Sequence, residues 1–242
     1  MRMRDWLAPR LERLHHFLLP PICLLCGAAG AAGRDLCAGC AADLPRNSHA
    51  CAICALPLSL DNRVGRCSQC CAQLPDYDRA FAPFCYRPPL DSLIRRLKFN
   101  GRLSHARLLG ELFADALVER DDPWPNCIIP VPLHPLRLRE RGFNQAMELA
   151  RAAARRCQIP LIAEGLRRIR YTTPQIRLDA RARQINPLGA FVMERCMFGS
   201  RVALIDDVMT TASTVAECAR ILRAGGVADI EVWIIARAGG EP

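Results

Sequence analysis

Two adjacent carboxylates at the end of an apolar run pose the chemical question. Residues 202–215 read VALIDDVMTTASTV. Four apolar residues lead into Asp206 and Asp207, and Thr210, Thr211, Ser213 and Thr214 follow as a helix-like pattern begins. Paired carboxylates accept hydrogen bonds from the vicinal hydroxyls of a sugar, directly or through Mg²⁺. Hydroxyls beside the free amides of a starting helix hold a phosphate, and the helix dipole favours its charge. The segment reads as a sugar-phosphate cradle: Asp206 and Asp207 at the ribose, and Thr210, Thr211, Ala212, Ser213 and Thr214 around the phosphate. An ordinary capped helix after a strand needs neither the acidic pair nor four hydroxyls.

A second constellation lies in IIPVPLHPLRLRERGFNQA, residues 128–146. A short strand ends at prolines, an arginine-rich loop follows, and a helix begins near residue 143. Arg137, Arg139 and Arg141 carry planar forks that suit a pyrophosphate, and Asn144 and Gln145 add neutral donors where the helix opens. Spacing alone fits a solvated basic loop equally well. His134, between Pro132 and Pro135, reads as structural rather than as a general base.

The third constellation is made of cysteines. Eight of the fourteen form four C-x-x-C pairs: Cys23/Cys26, Cys37/Cys40, Cys51/Cys54 and Cys67/Cys70. Each pair turns two thiolates toward one point, and two pairs complete a tetrahedral site suited to Zn²⁺. With only single cysteines elsewhere and no secretory signal, the pattern indicates metal ligation in a reducing compartment rather than disulfides. One or two structural zinc ions are expected. Pairing in sequence order gives two consecutive ribbons; a cross-braced arrangement, first pair with third and second with fourth, is the alternative. Cys71 offers a one-residue slip from Cys70, and His49 lies beside the third pair. Four thiolates leave no open position for a catalytic water, so the module is structural or adhesive.

The elements that must position these groups follow from periodicity. Helical spacing marks 89–99, 106–120, 143–157 and 212–226; continuous apolar runs mark strands at 127–132, 201–206 and 229–236. Strand, helix and strand over 201–236 make a βαβ unit, hence a parallel sheet covered by helices, with ligands beyond the carboxyl ends of its strands. Three segments result: an amphipathic helix over 1–19, a double zinc ribbon over 20–75, and the α/β domain over 78–239. The chain has 242 residues, 51% of them apolar, enough for one sizeable α/β domain and a small accessory module. No apolar run approaches the ~20 residues of a membrane span. The expected location is the cytoplasm, with peripheral contact at the inner membrane face as a second reading. The formal charge is +9, and Lys98 is the only lysine among 33 basic residues. Two zinc tetrathiolates at −2 each would lower that charge to about +5. The excess points to anionic partners, phosphates or nucleic acid.

ALIDDVMTTAST resembles the phosphoribosyl-pyrophosphate (PRPP) loop of type I phosphoribosyltransferases. The cysteine pairs, PVPLHPLRLRERGFNQA, TPQIRLDARARQINPLGAF (173–191) and IDDVMTTASTV, in that order, are together similar to the ComF family of phosphoribosyltransferase-like proteins linked to natural competence. The resemblance spans about residues 20–238. It implies a type I phosphoribosyltransferase core behind an N-terminal zinc-ribbon module, Mg²⁺ with PRPP as ligand, and a role in handling incoming single-stranded DNA beside the uptake machinery. By the same resemblance Asp206 and Asp207 face the ribose hydroxyls and Thr210–Thr214 wraps the 5′-phosphate. An active phosphoribosyltransferase transferring ribose 5-phosphate to a nitrogen nucleophile is the alternative. The family has glycine where this chain has Ala212, a departure a Cβ tolerates at negative φ. The arginine-rich stretch 165–183 suits either a nucleic-acid backbone or a flap over the site.

Overall fold

The computed structural model describes residues 20–100, 103–171, 186–197 and 199–240. The expected helix over 1–19 and most of the arginine-rich stretch 165–183 lie outside the described residues. The chain divides into two compact units between Leu44 and Pro45. In the first, Cys37 caps the short helix α1 (Ala38–Ala42), its sulfur accepting from the Cys40 amide. The second opens with a matching knuckle, where Cys67 caps α2 (Ser68–Ala72) in the same way.

The second unit continues into β1 (Arg79–Phe81), β2 (Phe84–Cys85), α3 (Leu90–Asn100), α4 (Leu103–Val118), β3 (Cys127–Pro130), α5 (Pro135–Arg141) and α6 (Gln145–Cys157). After them come β4 (Leu166–Arg168), β5 (Phe191–Met193), β6 (Arg201–Met209), α7 (Ser213–Ala224) and β7 (Asp229–Arg237). The main sheet runs β1-β7-β6-β3, with β2 also along β7, and every pairing in it is parallel. The two central strands are the near-continuous apolar runs that burial on both faces demands. On one face Val202, Leu204, Ile230, Val232 and Ile234 cluster with Val215, Cys218 and Leu222 of α7. Elsewhere α6 packs on β3, β6 and α4. A Cβ on Gly110 of α4 would come 2.8 Å from the Ala152 Cβ of α6, so that glycine permits the close helix approach.

Two expectations are corrected. β6 does not stop at residue 206: it pairs with β7 to Met209↔Arg237, so both aspartates lie within the strand. Residues 135–141 are a helix, not a loop. Pro135 starts it, the His134 ring accepts from the Leu136 amide, and Gly142 closes it in the left-handed region at φ 82. Proline just inside the start and glycine just past the end are helix punctuation, which the composition of the segment masked.

Candidate functional site

Successive residues of a strand point to opposite faces, so the extension of β6 separates the two carboxylates. Asp206 lines an open pocket whose remaining wall is the continuous stretch Val208–Val215. Asp207 is buried, at 7% exposed, and its Oδ2 lies 2.9 Å from Nζ of Lys98 on α3. Burial alone would depress the lysine, but Asp207, reinforced by Asp206, outweighs it and holds the ammonium above its usual range. Asp206 is raised too, but there the neutral form gains. Burial first, then the negative charge of Asp207, raises it to about 7, against the opposing pull of the Asp207 amide, Lys98 and Arg168.

The loop behind Asp206 leads directly into the start of α7. Thr211 Oγ1 and Ser213 Oγ are 2.9 Å apart, and α7 starts with no side-chain cap from Ala212. Ala212 does not stay at negative φ as the sequence expectation required: it takes φ 63, ψ −2. That left-handed conformation costs a non-glycine residue about 1–2 kcal/mol. The loop therefore adopts the shape glycine would favour and carries the strain of a methyl group within it.

The arginines divide by helix geometry. At about 100° per residue, Arg137 and Arg141 share one face of α5 while Arg139 points nearly opposite. Arg139 is exposed and the other two are half-buried. Desolvation lowers Arg141 despite the favourable charges of Asp207 and Asp206, which places it within electrostatic range of both. Its Nη1 donates to Gln145 Oε1 at 2.7 Å. Gln145 is 3% exposed, and its buried Nε2 has no hydrogen-bond partner among the described residues. Asn144 caps α6, accepting from the Ala146 amide, and its Nδ2 donates to the Val131 carbonyl at 3.0 Å, locking α6 to the end of β3.

Three groups near the site were not assigned from the sequence. Lys98 stood out only as the sole lysine. Arg168 on β4 stacks over Phe191 of β5 at 5.1 Å and contributes to the field at Asp206. Tyr171 meets the His134 ring edge-on at 5.3 Å and lies under Arg137 at 5.4 Å. The antiparallel β4–β5 pair thus carries groups to both Asp206 and the arginine helix.

The cysteines resolve the pairing question. Cys23, Cys26, Cys37 and Cys40 form one cluster and Cys51, Cys54, Cys67 and Cys70 another, each with ligand atoms within 4.8 Å of one another. The order is consecutive, Cys71 is exposed, and His49 is in neither cluster. Tetrahedral coordination at ~2.3 Å puts sulfurs about 3.8 Å apart. The Cys26–Cys37 and Cys54–Cys67 sulfurs are separated by 3.7 and 3.6 Å, so the donors fit the ion.

Comparison with known proteins places the cysteine pairs in a known family. Residues 14–71 match a double zinc ribbon domain. DNA utilization protein YhgH of Escherichia coli K12 is 34% identical over 224 residues, covering 90% of this chain and 98% of that protein. Competence protein F of Haemophilus influenzae is 35% identical over 224 residues, covering 89% of this chain and 96% of that protein. The chain belongs to the competence protein F (ComF) family. Among solved structures, adenine phosphoribosyltransferase of Trypanosoma brucei, in complex with AMP, pyrophosphate and ribose-5-phosphate, aligns with this ComF-family chain at TM-score 0.39 and 13% identity. The alignment covers 69% of this chain and 85% of that one. The two cysteine clusters are this ComF-family protein's structural zinc sites, and among the described residues no helix is long and apolar enough to cross a membrane.

Proposed function

We propose that this ComF-family protein binds PRPP or a related ribose phosphate, with Mg²⁺, and acts in the cytoplasm in the uptake or handling of single-stranded DNA during transformation. The observation that carries the reading is the pocket at the carboxyl end of β6. One wall offers the Asp206 carboxylate, and the other is the hydroxyl loop leading into the uncapped start of α7. The ribose hydroxyls donate to Asp206, and the 5′-phosphate accepts from the amides and hydroxyls of residues 210–214. Asp207, held by Lys98, would join Asp206 once the lysine turns to the ligand's phosphates. Arg137, Arg141 and the spare Gln145 Nε2 provide donors for the pyrophosphate, and Arg139 contributes from the solvent face of α5.

In this reading Asp206 and Asp207 would hold Mg²⁺, which would supply charge neutralisation for the pyrophosphate. The DNA role follows the names of the relatives, competence protein F and DNA utilization protein. The test combines two measurements in cells. Disruption of the gene is expected to abolish transformation, and Asp206→Asn/Asp207→Asn is expected to reproduce that loss while the protein accumulates normally. Transformation at wild-type frequency in the double variant would remove the site from the function.

A second reading, an active phosphoribosyltransferase, is favoured by the position of Arg141 within range of both carboxylates. A guanidinium there would stabilise departing pyrophosphate as its C1 bond breaks. Release of pyrophosphate from PRPP across a panel of nitrogen nucleophiles separates this reading from binding alone.

A further inference from the structure

Arg237, the last residue of β7, is 4% exposed, and among the described residues no carboxylate is in ion-pair range of it. Its Nε and Nη1 donors go to main-chain oxygens. Nε donates to the Cys54 carbonyl at 3.0 Å; Nη1 donates to the carbonyls of Met209 at 2.9 Å, Thr210 at 2.6 Å and Ala238. Met209 and Thr210 are where β6 turns into the hydroxyl loop. Cys54 is a ligand of the second zinc site, all four of whose cysteines are buried. One guanidinium thus ties the base of the phosphate loop to a zinc knuckle, although Cys54 and Arg237 are far apart in sequence.

A buried guanidinium without a countercharge is expensive, and carbonyl dipoles compensate it only in part. Zinc fixes the Cys51–Cys54 turn, and with it the carbonyl that Nε requires. Without the metal, Arg237 loses that fixed acceptor, and the carbonyls of Met209 and Thr210 lose the clamp that sets the loop.

We propose that Arg237 is a positioning residue through which zinc in the second site sets the phosphate loop, so that metal and ribose phosphate bind cooperatively. This rests on the PRPP reading of the loop. Coupling is reciprocal: if zinc tightens PRPP by some factor, PRPP tightens zinc by the same factor. An open cleft lined by Cys54, Cys70, Thr211, Ser213 and Arg237 separates knuckle from loop and gives a chelator access.

The experiment is an equilibrium competition for zinc between full-length, double-zinc protein and the chelator TPEN, with and without saturating Mg²⁺–PRPP. PRPP binding is measured on the same samples by calorimetry. In the wild type, PRPP is expected to raise the affinity of one zinc equivalent about tenfold. Arg237→Gln is expected to keep both zinc ions and lose that dependence, and Arg237→Lys, which keeps the charge but not the fork, to retain part of it. Equal zinc affinity with and without PRPP, while calorimetry shows PRPP bound, overturns the inference and leaves the PRPP reading standing. No PRPP binding to the zinc-loaded wild type overturns both. If Arg237→Gln fails to fold, the wild-type comparison decides alone.

Discussion

The only lysine in the chain should be worth most where it is least expected, under a pair of aspartates. Lys98 Nζ sits 2.9 Å from Asp207 Oδ2, with side-chain exposures of 23% and 11%. At an effective dielectric of about 20 the gross attraction is about 6 kcal/mol, much of it offset by desolvating both groups. Breaking such a pair typically costs 3–5 kcal/mol, and the partial exposure of Lys98 argues for the lower end, about 3 kcal/mol for Lys98→Met. The loss should depend on pH. Lys98 is one of the groups that hold Asp206 down, so its removal raises Asp206 beyond about 7. An acid whose folded pKa is raised contributes stability that is intact below its unfolded pKa and is lost as pH climbs through the folded value. Each further unit adds about 1.4 kcal/mol of destabilisation, felt at pH 8 and above and absent at pH 6. Urea unfolding followed by the fluorescence of buried Trp233, at pH 6 and pH 8 with zinc retained, reads both terms. Lys98→Met should unfold earlier at both pH values, with the larger deficit at pH 8. Adding Asp207→Asn should recover at least about 1 kcal/mol, because it removes the stranded charge. Equal deficits at the two pH values, or a double variant no better than the single, would refute the reasoning.

At Ala212, glycine should leave stability unchanged or raise it by about 1 kcal/mol, while valine, β-branched at φ 63, should cost about 2 kcal/mol; urea midpoints decide. Gln145→Met should cost about 1 kcal/mol through the acceptor that Arg141 loses, and should weaken pyrophosphate binding about tenfold by removing the spare donor, measured by calorimetry. Freshly purified protein should contain two zinc ions per chain by mass spectrometry, and Cys70→Ser should lower that to one; less than one ion in the wild type would contradict the cysteine geometry.

How far the sequence went can be judged from particular residues. β6, its loop and α7 were legible because an apolar run, a hydroxyl cluster and the Gly225–Gly226 stop lie side by side in the chain. The zinc sites were legible because each pair of thiolates is a local knuckle, and only the choice of partner pair needed three dimensions. Lys98 and Arg237 were not legible as functional groups. Their partners, Asp207 and Cys54, are more than a hundred residues away, and a lone cation on an amphipathic helix or at a strand end ordinarily reads as a solvated terminus. The extent of β6 was missed because two aspartates are poor strand formers. Pairing with β7 and the Lys98 contact outweigh that preference. Helix α5 was missed because proline, glycine and four charges in close succession imitate a loop, although the order of proline and glycine carried the opposite message. The conformation of Ala212 belongs to the loop as a whole and could not be read from the residue itself.

The central claim is that the pocket between Asp206 and the start of α7 holds a ribose phosphate. Calorimetric titration of Mg²⁺–PRPP into zinc-loaded wild-type protein and into Asp206→Asn/Asp207→Asn at pH 8, where Asp206 is largely ionised, tests it most directly. Saturable binding of one PRPP per chain is expected, weakened at least about tenfold in the double variant, the scale of losing hydrogen bonds to charged groups. Equal affinity in the two proteins, or no binding to the wild type, would contradict it.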